Sequence, residues 1–132
     1  MTQPIPHPSG QSLAPTSEER TWAVLGHLAA IVAAVISLGW LSFVGPLLIW
    51  AIYKDRSGFV RKAAADSFNF NLAVWAAIIV GWVMLFTVIL IPVAVIVWIV
   101  AVVAALWFHI RAAMAASRGE SFRYPWGIPV LH

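Results

Sequence analysis

Two stretches without a single Asp, Glu, Lys or Arg, Thr21 to Tyr53 and Ser67 to Ile110, constrain this chain more than anything else in it. Charge-free apolar runs longer than about 18 residues read as membrane spans. Composition agrees: the chain is 62% hydrophobic and 10% charged, against about 25% charged in soluble domains. The first run is interrupted at "SLGWLSFVGP", where Gly39, Gly45 and Pro46 are turn and helix-start residues. The second run is too long for one crossing and suits two, with the break near Leu90-Ile91-Pro92, because proline is best tolerated in the first turn of a helix. The pattern predicts an all-α integral membrane four-helix bundle. It forms one membrane domain over about residues 16–130, with spans near 20–37, 42–54, 68–89 and 92–110.

The charges flank these runs. Arg20, then Lys54, Arg56, Arg61 and Lys62, then Arg111, Arg118 and Arg123 all fall at one end of the predicted bundle, while the connections at the other end carry no charge. Short basic segments stay cytoplasmic, so both termini are expected on the cytoplasmic side of a cytoplasmic (inner) membrane. In "GFVRKAAADSFNF", Phe59, Ala63 and Phe70 share a helical face that Arg61, Lys62 and Asp66 avoid, which predicts an interfacial amphipathic helix between helices 2 and 3. "FVGPLLIWAIY" is short for a crossing. It is either a thin, tilted span or one arm of a re-entrant hairpin, and the span is favoured because mismatch is tolerated at modest cost. Thr16 and Glu19 have capping-box spacing and open the first helix. Residues 1–15, rich in Pro and lacking a basic start and an apolar h-region, read as a disordered cytoplasmic tail rather than a signal peptide. At the other end Gly119 stops a helix, and Tyr124, Pro125 and Trp126 suit a segment lying along the membrane or under the bundle.

Little in the sequence can do covalent chemistry. There is no cysteine, hence no thiolate nucleophile or metal site. No phosphate-binding loop, G-x-S-x-G or H-E-x-x-H occurs. The acids Glu18, Glu19, Asp55, Asp66 and Glu120 all lie outside the spans. No enzymatic activity, cofactor, metal or nucleic-acid partner is expected. Polar residues at span ends are the candidates that remain. His27 lies about 10 Å along its helix from Arg20, Asn69 follows Asp66 closely, and His109 precedes Arg111. His27, Asp66, Asn69 and His109 therefore define a cytoplasm-side polar cluster. Its ordinary role is structural hydrogen bonding; a proton or ion relay and haem ligation by His27 and His109 are the sharper alternatives. Small residues at spacings of four, Gly26, Ala30 and Ala34 on the first helix and Ala101, Ala105, Ala112 and Ala116 on the fourth, suit close helix contacts, within the bundle or with a partner. Trp22, Trp40, Trp50, Trp107 and Trp126 fall near expected interfaces, and Trp75, Trp82 and Trp98 lie deeper.

The ordered landmarks "ERTWAVLGHLAA", "GPLLIWAIYKDRSGFV", "SFNFNLAVW" and "RGESFRYPWGIPV" resemble the bacterial branch of the Tic-twenty-like family, whose namesake is a chloroplast inner-envelope translocon subunit. The resemblance implies a four-helix membrane protein with key positions at His27, Gly45, Pro46, Trp50, Lys54, Phe59, Asn69, Phe70, Gly119, Tyr124 and Pro125. It departs at Gly58, where relatives carry Pro, and at Ala63, where they often carry His. The functional expectation is a non-catalytic accessory, assembly or scaffold subunit in contact with membrane lipids and either a larger membrane complex or copies of itself. A small oligomeric transporter or channel, and a haem-binding membrane subunit, are the alternatives.

Overall fold

A computed structural model describes residues 14–132. The tail expected over residues 1–15 lies outside the described residues, except for Ala14 and Pro15. Four α-helices follow one another: α1 (Ser17–Ser37), α2 (Val44–Tyr53), α3 (Gly58–Leu85) and α4 (Ile91–Ser117), with a 3₁₀ turn at Val88–Leu90 between α3 and α4. By length and composition, α1, α3 and α4 are sufficient to cross a membrane, and α2 is shorter. The fold is all-α, a four-helix membrane bundle.

The helix ends follow local chemistry. Thr16 Oγ1 accepts from the Glu19 N–H at 3.2 Å, and Glu19 Oε2 accepts from the Thr16 N–H at 2.8 Å, completing the capping box. Ser57 caps α3 by accepting from the Val60 N–H, and its hydroxyl donates to Glu19 Oε1 at 2.7 Å. That second bond ties the start of α3 to the start of α1. Pro92 sits in the first turn of α4, as the sequence predicts. At the far end of α4, Gly119 adopts φ 77°. Its N–H and that of Glu120 reach back to the carbonyls of Ala116 and Ala115 in a Schellman motif.

The basic stretch after Lys54 does not make a separate interfacial helix. It forms the first turns of α3 without a break. Val60, Ala63, Ala64 and Ala65 in these turns are buried. Val60 and Ala64 pack on Ile49 of α2, and Ala63 packs with Ala23 of α1 and Ala116 of α4. Three alanines meeting where three helices cross let the backbones approach closely. The segment's apolar residues are held inside the bundle, while Arg61 and Lys62 face outward.

The α1–α2 hairpin is shorter than the α3–α4 hairpin. Both begin at the same end, fixed by the Ser57–Glu19 bond and by Gly119 lying against Arg20. The turn over residues 38–43 meets α3 at Asn71 and Trp75. Asn71 Nδ2 donates to the Ser42 carbonyl at 3.2 Å, and Trp75 Nε1 donates to the Gly39 carbonyl at 3.2 Å. From Trp75, α3 runs on to Leu85, a further 15 Å or so. The turn is internally bonded as well. The N–H groups of Leu38, Gly39, Trp40 and Val44 reach the carbonyls of Ala34, Ala34, Ser37 and Leu41, and the Leu41 N–H reaches Ser37 Oγ. Trp40 packs edge-on against Trp75 with ring centroids 5.5 Å apart.

Close helix contact is demanding at Gly45, where the neighbour includes backbone of α1. A Cβ there would lie 2.7 Å from both the carbonyl oxygen and the Cβ of Ala29. At Gly26 an added Cβ would meet Ala64 at 3.5 Å, an ordinary contact. Gly45→Ala is therefore expected to destabilise the α1–α2 hairpin by about 1–3 kcal/mol through overpacking, while Gly26→Ala is tolerated. Thermal unfolding of the two variants in the same detergent checks this. Equal midpoints would show that the α1–α2 crossing can open around Gly45 at no cost.

Candidate functional site

Phe70 is fully buried near the basic end of α3 and is the hub of an aromatic socket. Tyr124, from the segment after α4, stacks on it with ring centroids 4.4 Å apart and planes inclined by 24°. Phe108 and Trp126 pack around the same ring at 5.8 and 6.2 Å. Aromatic pairs of this kind add about 0.5–1.5 kcal/mol beyond their burial. The C-terminal segment is thereby folded under the bundle and inserted into it.

His27 of α1 and His109 of α4 lie on either side of Tyr124, with ring centroids at 5.9 and 5.7 Å. Both imidazoles are buried. His27 Nδ1 is 3.0 Å from the Tyr124 hydroxyl. His109 Nδ1 is 2.8 Å from the Ala105 carbonyl, which can only accept, so Nδ1 carries the proton. That leaves Nε2 as the acceptor facing Asn71 Nδ2 at 3.4 Å. Both nitrogens of His109 are engaged, and neither presents a lone pair to an iron. Among the described residues no group of three or more His, Cys, Asp or Glu side chains is placed to hold a metal ion. Asn71 and His109 form the polar floor of an apolar cleft of about 320 Å³ between α1, α3 and α4. Burial pushes the Tyr124 phenol above its ordinary range, so it stays neutral and able to donate to His27.

Asn69 and Asp66 face elsewhere. Asn69 clamps the end of the chain: its Oδ1 accepts from the N–H groups of Val130 and Leu131 at 3.0 and 2.9 Å, and its Nδ2 donates to the Leu131 carbonyl at 2.8 Å. The Asn69 carbonyl also accepts from the Ile128 N–H. Trp50 Nε1 donates to the His132 carbonyl at 3.1 Å. Asp66 is paired with Lys62 one turn away. Lys62, Asp66 and Asn69, with Arg123 and Trp126, line a cleft of about 520 Å³ between α3 and the C-terminal segment.

A family model described as the magnetosome magnetite crystal formation protein family, MamF/MmsF, matches residues 18–131. The chain belongs to the MamF/MmsF family. Membership overturns the Tic-twenty-like resemblance drawn from the landmark order. The landmarks misled because they are fold-holding positions: Gly45 and Pro46 fit α2 against α1, Trp50 and Asn69 hold the chain end, Lys54 lies over the Trp50 ring, and Phe59 packs on the Ala23 cluster. Phe70 and Tyr124 make the socket, Gly119 ends α4, and Pro125 follows the socket residue as an exposed position. Positions of that kind record a shape and carry little about function. No curated protein and no solved structure matches the chain.

Of the MamF/MmsF chain's four sequence-predicted polar residues, the structure brings His27 and His109 together through Tyr124, and turns Asn69 and Asp66 outward to the chain end and to Lys62. Gly26, Ala30, Ala101 and Ala112 are buried, and Ala34 and Ala105 line the apolar cleft. Asn71 is the residue that sequence reasoning missed. Its signal was present, as an amide inside a charge-free run, but the neighbouring Asn69 drew attention because it sits closer to Asp66. Tyr124→Phe keeps the stack and loses one hydrogen bond, at a cost of about 1 kcal/mol. Tyr124→Ala empties the socket, with a loss of about 3–5 kcal/mol and faster tryptic cleavage at Arg123. Because the folded phenol titrates above its unfolded value of about 10, its contribution is complete below that pH and is lost as pH rises beyond it. Thermal midpoints across the alkaline range should fall more steeply for the wild type than for Tyr124→Phe. Parallel curves would mean that the Tyr124 hydroxyl does not hold the socket together.

Proposed function

We propose that this magnetosome membrane protein is a non-catalytic accessory or scaffold subunit that influences magnetite crystal formation through other membrane proteins and the bilayer. The observation that carries the reading is the division of polar groups between the two ends of the bundle. The side chains that hold iron ions in proteins are chiefly carboxylates, imidazoles, thiolates and phenolates. Here the turns over residues 38–43 and 86–90 contain no ionisable residue, and the chain has no cysteine. His27, His109 and Asp66 lie at the opposite, basic end and are bonded within the protein. With the basic end cytoplasmic, as the distribution of Arg and Lys favours, the charge-free turn over residues 86–90 faces the compartment in which the crystal grows. Among the described residues that side then offers no carboxylate, imidazole or thiolate, which supports an indirect effect on the mineral. The closed socket also supports structural hydrogen bonding over an ion path, since Tyr124 fills the space between the two histidines.

Gentle affinity purification from native magnetosome membranes, followed by mass spectrometry and a native gel, tests the proposal. The expected result is a stoichiometric membrane partner retained by the wild type. A clean homo-oligomer that supports iron flux when reconstituted alone in liposomes would replace the accessory reading with transport.

A further inference from the structure

We infer that the chain is a membrane wedge: four helices occupy the leaflet at the basic end and two occupy the other, so the protein favours a bilayer that is convex on its basic side. The sense of the preference relative to a magnetosome rests on the orientation proposed above; the wedge itself does not.

The inference starts from helix depth. Asp66 on α3 and Arg111 on α4 are the last charges before the apolar run. From Ser67 to Leu85, and from Ile110 back to Ile91, each helix covers about 30 Å, one full hydrocarbon core. The α3–α4 hairpin therefore spans the bilayer. Trp75 lies eight residues beyond Ser67, roughly 12 Å into that core, and it is Trp75 that binds the Gly39 carbonyl at the α1–α2 turn. The turn is thus placed near the bilayer midplane. Irregular backbone at that depth is tolerated only when its polar groups are satisfied by protein. Most of the turn is satisfied in this way: Asn71 and Trp75 cover two of its carbonyls, and its own bonds cover the N–H groups of Leu38, Gly39, Trp40, Leu41 and Val44, leaving those of Ser42 and Phe43 unbonded.

Beyond the turn, α3 and α4 have only each other. Trp98 of α4 closes over Gly81 and donates from Nε1 to the Ile78 carbonyl at 3.0 Å. Val83, Phe86, Ile89, Ile96 and Val100 are exposed around this pair. Above the turn a notch of about 350 Å³ opens between Trp40, Trp75, Trp82 and Phe86. Large and β-branched side chains dominate these surfaces, in place of the small residues that tight helix pairing uses, which makes acyl chains the natural filling. At about 10 Å per helix, the protein's cross-section falls by roughly half from one leaflet to the other. Lipids in the depleted leaflet must occupy the difference, and they do so with less strain when that leaflet is the concave one. A small membrane closed around a crystal, with the basic end on its outer face, has this curvature.

Two measurements test the wedge. Leu38 and Ile89 are each 90% exposed in the isolated molecule, so any difference between them in a bilayer reports depth. In the natural cysteine-free background, Leu38→Cys and Ile89→Cys are reconstituted and exposed on both membrane faces to a charged maleimide. Labelling is expected to be severalfold slower for Leu38→Cys; equal rates would place the turn at a membrane surface and overturn the wedge. The second measurement sorts the wild-type chain, fluorescently tagged at the C-terminus, across a mixture of small and large vesicles. An external quencher distinguishes the two orientations. Molecules with the basic end outward should be severalfold denser per lipid area on the smallest vesicles, and inward-facing molecules should show the opposite trend. Density independent of size in both orientations overturns the proposed preference, whatever the purification experiment reveals about partners.

Discussion

The backbone of the α1–α2 turn has to be hydrogen-bonded without water, and Asn71 is central to how that is done. Its amide nitrogen serves the Ser42 carbonyl and faces His109 Nε2, while His109 in turn donates to the Ala105 carbonyl of its own helix. One side chain on α3 thus connects the turn to α4. Buried polar groups are costly unless paired, and here the pairing also fixes the depth of the turn and the tautomer of His109. With the turn in place, Gly45 can sit against Ala29, and α2 can return beside α1 to the level of Ser57.

The basic end is closed by a different device. The segment after Gly119 has no helix of its own, so its backbone groups need outside partners. Asn69 provides three hydrogen bonds from its side chain and one from its carbonyl, Trp50 provides another, and Tyr124 supplies the apolar anchor. The anchoring is distributed over α1, α2, α3 and α4. Each helix is therefore tied to the chain end as well as to its neighbours, which suits a bundle whose α2 is too short to bury much surface by itself.

Much of the architecture was legible in the sequence because it follows from strong local physics. The capping box at Thr16, the break before Pro92 and the stop at Gly119 depend on residues adjacent in the chain. So does the gathering of bases at one end. The polar cluster was only partly legible, because its geometry is non-local. Spacing placed His27 and His109 at similar depth, but their meeting depends on Tyr124, which arrives from a segment with no periodicity to read. Asn69 and Asn71 are two residues apart, on different faces of α3, and only the tertiary fold says that one holds the chain end and the other the turn. The interfacial helix was expected because Arg61 and Lys62 mark a polar face; the burial of Val60 and Ala64 against α2 decided the outcome instead. Landmark order led to the wrong family for a related reason, since it tracks the helix contacts that build such a bundle.

The same non-uniformity connects fold to function. Nearly all specific polar bonding is concentrated in the half of the molecule that contains four helices and the chain end, whereas the outer half consists of two helices with aliphatic and aromatic surfaces. A protein that recognised mineral directly would need charged or ligating groups where the mineral is, and in the proposed orientation groups of that kind stand at the opposite end. What the outer half can impose on its surroundings is shape and apolar surface, and the partners that respond to those are lipids and other membrane-embedded chains. Under the proposed function, a role in crystal formation is exerted on the compartment that encloses the crystal, through its curvature and its protein content, with the basic end holding the two outer helices at a fixed depth.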